Sequence, residues 1–294
     1  TPMRSSAASD VYKRQVNWFA GILNGTTNFI LSKMSENQSS FKDALKEAQD
    51  LGLAEADPTM DIDGTDAAQK ASILSALAFN TLYDFNSVSY EGIENVSPED
   101  IVYAEQLEYS IKHIAYGSMV EGEVNVSAFP TFVPKGQLLS QVGQQMNALE
   151  IFCEEIGSTV YYGPGAGPKP TASAVIADLV DLSNGGWPVS DKKQNKNNFA
   201  KEDNQNFGRY FNLNVINQAG AIAKLSSVFA DSQISIEALI QKETKTNNKE
   251  NIYVPVVIIS GPLTEIEAIQ LKNNLELMEE TSDSVKQFRI YNAI

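Results

Sequence analysis

Between Val16 and Asn80, apolar side chains recur at the three-and-four spacing of helices. A first run passes through Phe29, Ile30 and Met34. Before it stand Trp18, Phe19, Ile22 and Leu23 and the turn-like Asn24-Gly25-Thr26-Thr27-Asn28. Asn or Thr ahead of such a run is an N-cap signal. A second helix is expected over Ser40 to Leu51, with Phe41, Ala44, Leu45 and Ala48 on one face and Gly52 as its C-cap. The third, Thr65 to Asn80, is the most strongly patterned. Asp66, Lys70, Ile73 and Leu77 are four, three and four positions apart, so they share a stripe. Ile73 and Leu77 are expected to face the core, with Asp66 and Lys70 continuing that buried face into the first turns.

Beyond the third helix the pattern alternates. Ser87 to Ile93, Ile111 to Met119 and Glu121 to Ala128 read as strands of one sheet, although Leu107, Ile111 and Ile114 also sit at helical spacing around His113. Gln137 to Asn147 suits a loop or short helix. Gly163 to Gly167 is a glycine-rich turn, followed by an apolar helix from Thr171 to about Leu182. Residues 183–208 are nearly empty of aliphatic side chains and rich in Asn, Lys, Gly and Asp, which reads as a linker. After it come a strand (Tyr210 to Ile216), a helix (Ala221 to Ala230, through Ile222, Leu225, Val228 and Phe229), two strands (Ile234 to Ile240, Ile252 to Ile259), a helix (Leu263 to Met278) and a strand (Val285 to Ile290). The order βαββαβ describes a ferredoxin-like sandwich. The fold class is therefore α+β: a mixed-sheet domain over 16–182, a linker over 183–208 and a small sandwich over 209–294. Residues 1–15 have no periodicity and resemble translated vector sequence, so they are set aside as a non-native or disordered leader.

Composition narrows the function classes. The 294 residues carry a formal charge of -15 with no basic stripe, which argues against nucleic acid and anionic membranes as partners. No apolar run approaches the ~18 residues of a membrane span, and no segment has the order of a signal peptide. Cys153 is the only cysteine, so an internal disulfide and a thiolate metal cluster are excluded, and a reduced, cytoplasmic setting is expected. His113 is the only histidine, which argues against His-rich metal sites and is expected to be a surface or half-buried structural residue. Acid–base chemistry is left to Lys, Asp, Glu or Tyr.

One segment is dense in carboxylates: Glu55, Asp57, Asp61, Asp63 and Asp66, closing on Lys70. A calcium loop is the simplest alternative, and its spacing fails. With Gly64 at the sixth position, Thr59 would be the first ligand and Lys70 the twelfth, where a bidentate Glu is required. Lys70 sits near a helix N-terminus, where the dipole and partial burial disfavour its charged form while nearby carboxylates favour it. Such a lysine suits proton transfer. Pattern alone leaves a surface i,i+4 ion pair equally open.

The run AQDLGLAEADPTMDIDGTDAAQK, with Asp-Pro, Asp-x-x-Gly-x-Asp and the closing Lys70, resembles the signature of the homoserine dehydrogenases. GILNGTTNFIL and GAGPKPTASAVIADL are similar to further motifs of that family, and the three together span most of residues 16–182. The resemblance implies an NAD(P)(H)-dependent oxidoreductase that interconverts L-homoserine and L-aspartate 4-semialdehyde in threonine, methionine and isoleucine biosynthesis. It implies Lys70 as the acid–base residue, Glu55 and Asp66 as substrate-binding residues and Asp61 as a further active-site carboxylate. Gly52 and Gly167 match glycines at the cofactor. No catalytic metal is implied, since hydride chemistry needs orientation plus one acid.

Members of the family begin with a Rossmann domain, and this sequence holds no G-x-G-x-x-G after a strand. A truncated chain with weak or absent turnover is therefore expected, in which the helix from Thr171 to Leu182 lacks the domain it would pack on. The sandwich over 209–294 resembles an ACT domain, whose ligand sits at the first strand-to-helix turn, here Asn217-Gln218-Ala219-Gly220. The common Asp-x-Pro-Gly is altered at Asn217 and Ala219, while Gly220 is kept. Two readings follow: feedback by threonine, or a dimerisation module without ligand. A homodimer or higher homo-oligomer is the family's habit. A non-catalytic amino-acid-binding regulator and the dehydrogenase half of a bifunctional aspartokinase–homoserine dehydrogenase remain as alternatives.

Overall fold

The structure is a computed structural model that describes residues 15–81, 84–185, 198–200, 205–241, 253–282 and 284–291. Its contacts divide the chain into two units. The first comprises Thr1–Pro98, Lys112–Phe129 and Gln141–Lys201, and the second Glu99–Ile111, Pro130–Ser140 and Glu202–Ile294.

In the first unit the chain opens with a buried strand, β1 (Trp18–Ile22). Helices α1 (Gly25–Asn37) and α2 (Phe41–Asp50) follow, capped by the side chains of Asn24 and Ser40 as their sequences suggest. Leu51 is the C-cap of α2, and Gly52 stands just beyond it at φ 71°. The single turn α3 (Thr59–Ile62) leads into α4 (Thr65–Phe79). A short strand β2 (Ser89–Tyr90) and the helix α5 (Pro98–Gln106), which apart from Pro98 belongs to the second unit, precede the long strands β3 (Tyr109–Val120) and β4 (Glu123–Pro134). Strands β5 (Met146–Cys153) and β6 (Gly157–Pro164), helix α6 (Pro168–Ser183) and the two-residue β7 (Asn198–Phe199) complete the unit.

Its sheet runs β6-β5-β1-β3-β4, with β2 and β7 both pairing with β4 in parallel. Against β1, β3 and β5 are antiparallel, so Phe19 faces Gly117 on one side and Ile151 on the other. A side chain at Gly117 would collide with the Phe19 ring, which explains the small residue there. Phe19 packs with Ala67, Ala68 and Ala71 of α4, with Ala115 of β3 and with Val124 and Val126 of β4.

That packing overturns one expectation. The buried face of α4 is Ala67, Ala68, Ala71, Ser72, Ser75 and Phe79. Ile73 and Leu77 are 50% and 77% exposed. Small side chains let the helix backbone lie close to the sheet, and close packing outweighs the transfer gain of two larger residues that cannot fit there. Lys70 and the Asp66 carboxylate therefore lie toward solvent rather than along the buried face, with side-chain exposures of 48% and 26%.

Other differences have equally local causes. The helical spacing around His113 is coincidental: the segment is strand β3, and His113 is 1% exposed rather than at the surface or half-buried. The expected strand over Ser87 to Ile93 shrinks to β2, because Asp84 caps a short helical turn over Phe85–Ser87. Strands β1, β5 and β6 and helix α5 are additional to the expected elements. Helix α6 starts at Pro168, which suits an N1 position, and none of its residues is buried. The leader lies outside the described residues except for Gln15. Most of the expected linker does too, but its Asn198–Phe199 joins the sheet and β8 begins three residues before Tyr210.

In the second unit the order is β8 (Phe207–Ile216), α7 (Ala221–Asp231), β9 (Ile236–Gln241), β10 (Tyr253–Leu263), α8 (Glu265–Glu276) and β11 (Lys286–Ile290). The strands lie as β11-β8-β10-β9, all antiparallel. This is the expected βαββαβ arrangement. Leu225 and Phe229 of α7 and Ala268, Leu271 and Leu275 of α8 pack with Phe211, Leu213, Val256 and Ile258 of the sheet. The end of β4 also pairs with β11 in parallel, at Thr131↔Arg289 and Phe132↔Ile290. Phe132, Tyr210 and Phe288 stack there, the first two with centroids 4.3 Å apart. No helix among the described residues is long and apolar enough to cross a membrane.

Candidate functional site

The carboxylate-rich segment divides its side chains by role. Asp57 is a turn residue: its carboxylate accepts from the Thr59 hydroxyl at 2.6 Å and amide at 3.2 Å, and those bonds hold its pKa below the ordinary value. Asp63 accepts from the Thr65 amide at 2.8 Å and so covers the start of α4. Gly64, between Asp63 and α4, adopts φ 88°, which a side chain rarely tolerates. A Cβ there would also lie 2.9 Å from the Glu91 carbonyl and 3.3 Å from His113 Nε2. The sharp entry to α4 thus depends on glycine.

Asp61 and Asp66, from α3 and the first turn of α4, converge on one residue. Asn24 Nδ2 donates to Asp61 Oδ1 at 2.7 Å and to Asp66 Oδ2 at 2.8 Å. Lys70 Nζ donates to the same Asp66 oxygen at 2.7 Å and to the Leu23 carbonyl at 3.2 Å. Asn147 Nδ2 reaches that carbonyl too, at 3.3 Å. Asn24 is itself fixed by its oxygen, which accepts from the Thr27 amide at 2.8 Å and caps α1. The hydroxyl of Thr26 donates to the Leu53 carbonyl at 2.9 Å, joining the start of α1 to the loop after α2. Asn24, Asp61, Asp66 and Lys70 therefore form one cluster at the start of α1 and α4. Of its two carboxylates, Asp66 is paired with Lys70 and Asp61 is held by Asn24.

Such a cluster has an excess of negative charge beside an exposed ammonium. It suits a cationic group, bound by charge-assisted hydrogen bonds, next to a lysine able to exchange a proton with a neighbouring oxygen. The i,i+4 ion pair between Asp66 and Lys70 is present, and it is part of this cluster rather than an alternative to it.

The other sequence candidates stand apart from these contacts. Glu55 is exposed, and its carboxylate makes no hydrogen bond or ion pair among the described residues; only its backbone carbonyl accepts, from Gln49 at 3.1 Å. Gly52 has open space where a Cβ would stand. Gly167, at φ 112°, precedes α6 with only Pro170 Cδ close to that position, at 3.9 Å. Asn217 and Gly220 are exposed in the second unit, Gly220 at φ 93° directly before α7. Asn217 Oδ1 accepts a long bond of 3.5 Å from Gln241.

Two participants were not singled out by the sequence as site residues. In the sequence Asn24 carries a helix-cap signal, which does not mark it as a site residue. Asn147 sits in the loop-or-helix segment, and nothing in its sequence surroundings connects it to Leu23, a contact between residues 124 positions apart. On β3, Lys112 is buried, donating to the Val142 carbonyl at 2.6 Å and to Asn28 Oδ1 at 3.4 Å. Burial pushes its pKa down to about 8, against a smaller opposing effect of Glu36. His113 Nε2 lies 2.8 Å from the Glu91 carbonyl, which can only accept, so that nitrogen carries the proton. Burial lowers the His113 pKa, outweighing the Glu91 carbonyl and the charge of Asp66.

The first unit thus defines a mixed-sheet α+β protein with an acidic, lysine-bearing site suited to an amino-group-containing substrate. The family model for homoserine dehydrogenase matches residues 2–180. A homoserine dehydrogenase of Pseudomonas aeruginosa is 34% identical, covering 98% of this chain and 68% of its own length. That of Bacillus subtilis is also 34% identical, covering 92% of this chain and 63% of its own length. The crystal structure of a homoserine dehydrogenase from Thiobacillus denitrificans superposes with a TM-score of 0.85 at 35% identity, over 99% of this chain and 68% of that one. The chain belongs to the homoserine dehydrogenase family, and it spans 63% to 68% of the length of these relatives.

Proposed function

We propose that this chain supplies the substrate-binding and proton-transfer side chains for interconverting L-homoserine and L-aspartate 4-semialdehyde with NAD(P)(H). The observation that carries the reading is the cluster itself: Lys70 Nζ held 2.7 Å from Asp66, which shares Asn24 with Asp61. Asp66, helped by Asp61 and by Glu55 from the neighbouring loop, binds the substrate ammonium. Lys70 protonates the aldehyde oxygen during reduction and takes that proton back during oxidation. With its charge balanced by Asp66 and its Nζ exposed, it reaches an oxygen on the solvent side without moving its backbone.

The dinucleotide, when bound, supplies or accepts the hydride. Gly52 and Gly167 fit a place against it, because their exposed backbone has no side chain to obstruct a flat ring. Calorimetric titration of L-homoserine into the full chain tests the reading. Binding is expected, and Asp66→Asn is expected to weaken it about tenfold or more by removing a charge-assisted contact. Absence of binding heat, or equal affinity in the variant, contradicts it.

For the second unit we propose an ACT-type regulatory module, on the strength of its βαββαβ order and its antiparallel β11-β8-β10-β9 sheet. Threonine is the proposed effector, at the Asn217–Gly220 turn, in a cytoplasmic homodimer or higher oligomer. Gly220 leaves the start of α7 open to a ligand carboxylate, with nothing near its Cβ position. Titration of threonine into the same chain tests this: saturable heat lost on Gly220→Val supports the effector, and no heat favours a module that only pairs subunits.

A further inference from the structure

We propose that Asn24 is a positioning residue for the reaction, setting the separation of the Asp61 and Asp66 carboxylates so that one ammonium bridges both. The inference rests on the reading of Asp66 and Lys70 given above and adds to it a residue that touches neither substrate nor cofactor.

Three features of Asn24 carry it. First, its amide is oriented without ambiguity. Its oxygen accepts from the Thr27 amide at 2.8 Å, so the nitrogen must face the carboxylates. Second, both of its N–H groups are used, one on Asp61 at 2.7 Å and one on Asp66 at 2.8 Å. Third, Asn24 is only 4% exposed, so water cannot replace those donors cheaply.

The geometry that follows is specific. The two hydrogens of an amide diverge by roughly 120°, so the oxygens they hold stand roughly 5 Å apart. Each carboxylate keeps its other oxygen for a ligand, and a single ammonium nitrogen reaches both of those, since bonding to the two oxygens Asn24 already holds would bring it within about 3 Å of the Asn24 amide nitrogen. Without the shared donor, two like charges would turn away from each other. The gap would widen, and Asp66 would lose one of the two bonds that fix the oxygen facing Lys70. Asn24 also ties this spacing to the start of α1, because one amide group both caps the helix and holds the carboxylates.

A residue that merely caps a helix behaves differently, which makes the proposal testable. Asn24→Ser keeps a cap acceptor but has no second donor, whereas Asn24→Ala loses both functions. If capping is all that matters, Asn24→Ser resembles the wild type and only Asn24→Ala is impaired. If Asn24 positions the carboxylates, Asn24→Ser melts near the wild-type temperature yet binds L-homoserine about tenfold more weakly in calorimetry on the full chain. Its crystal structure then shows the Asp61 and Asp66 carboxylates moved apart. Wild-type affinity with unmoved carboxylates overturns the proposal. The crystal structure decides if the wild-type chain gives no binding heat. That result removes the substrate reading, while unmoved carboxylates in Asn24→Ser would separately remove the positioning role. Should Asn24→Ser fail to fold, Asn24→Thr, which also keeps a cap acceptor and lacks the paired amide donors, is read by the same two criteria.

Discussion

At the scale of single residues, the proposed reading gives the chemistry to Lys70 and Asp66, and burial gives Lys112 and His113 a pH dependence of stability. Replacing Lys70 by Met removes the proposed proton-transfer group from a half-exposed position. Reduction of L-aspartate 4-semialdehyde, followed by NADPH absorbance, is expected to fall by about a hundredfold or more, with little change in melting temperature. The two buried bases act in the same direction. Lys112 gives up its proton near pH 8 when folded, and its ordinary value is 10.5. Between those limits the unfolded chain binds more protons, so stability rises with pH. His113 is depressed below 6.5 when folded. As pH falls through that value the unfolded chain takes up a proton that the folded chain refuses, and stability drops. Thermal melting across both ranges is expected to show these slopes, with Lys112→Met flattening the upper one and His113→Gln the lower.

At the scale of elements, α4 shows what was legible and what was not. Its extent and the placing of Asp66 and Lys70 one turn apart follow from spacing. Which face is buried does not. Periodicity reports that Ile73 and Leu77 share a stripe, but a sheet that meets α4 at Ala67, Ala68 and Ala71 leaves no room for them. Exchanging Ile73 and Leu77 for Ser is therefore expected to change stability by no more than about 0.5 kcal/mol each in chemical denaturation. Gly64→Ala is expected to lose more than about 1 kcal/mol, because it meets both a left-handed backbone and the Glu91 carbonyl. Strands β5 and β6 were hidden for a related reason. Their hairpin leaves Tyr161 and Tyr162 both exposed, so no clean alternation of apolar and polar residues marks it. The site was half legible: motif residues gave the carboxylates and the lysine, whereas the role of Asn24 depends on three elements meeting at one amide.

At the scale of the whole molecule, the division into two units is deeper than a linker between domains. The second unit draws Glu99–Ile111 and Pro130–Ser140 from the middle of the chain, a pattern that local periodicity cannot reveal. Asp100, fully buried in that unit, accepts from the Tyr210 hydroxyl at 3.0 Å, Asn212 at 2.9 Å and Lys286 at 3.1 Å. Burial and the Asp100 charge both push the Tyr210 pKa up, so its phenol stays a donor. At the first residue of α8, Glu265 joins the buried Arg209 and Arg289, at 2.8 and 2.7 Å. Burial pushes its pKa up, but Arg289 and Arg209 outweigh that and hold it below the ordinary value. Asp100→Ala would leave the buried Tyr210 hydroxyl and the half-buried Asn212 amide without this acceptor, and is expected to destabilise by about 3 kcal/mol in chemical denaturation.

The most direct test of the account is a crystal structure of the full chain with L-homoserine bound. The expected result places the ammonium between the Asp61 and Asp66 carboxylates and the hydroxyl oxygen within hydrogen-bond distance of Lys70 Nζ. L-Homoserine ordered elsewhere, or bound with Lys70 Nζ out of reach of its hydroxyl, would contradict the account.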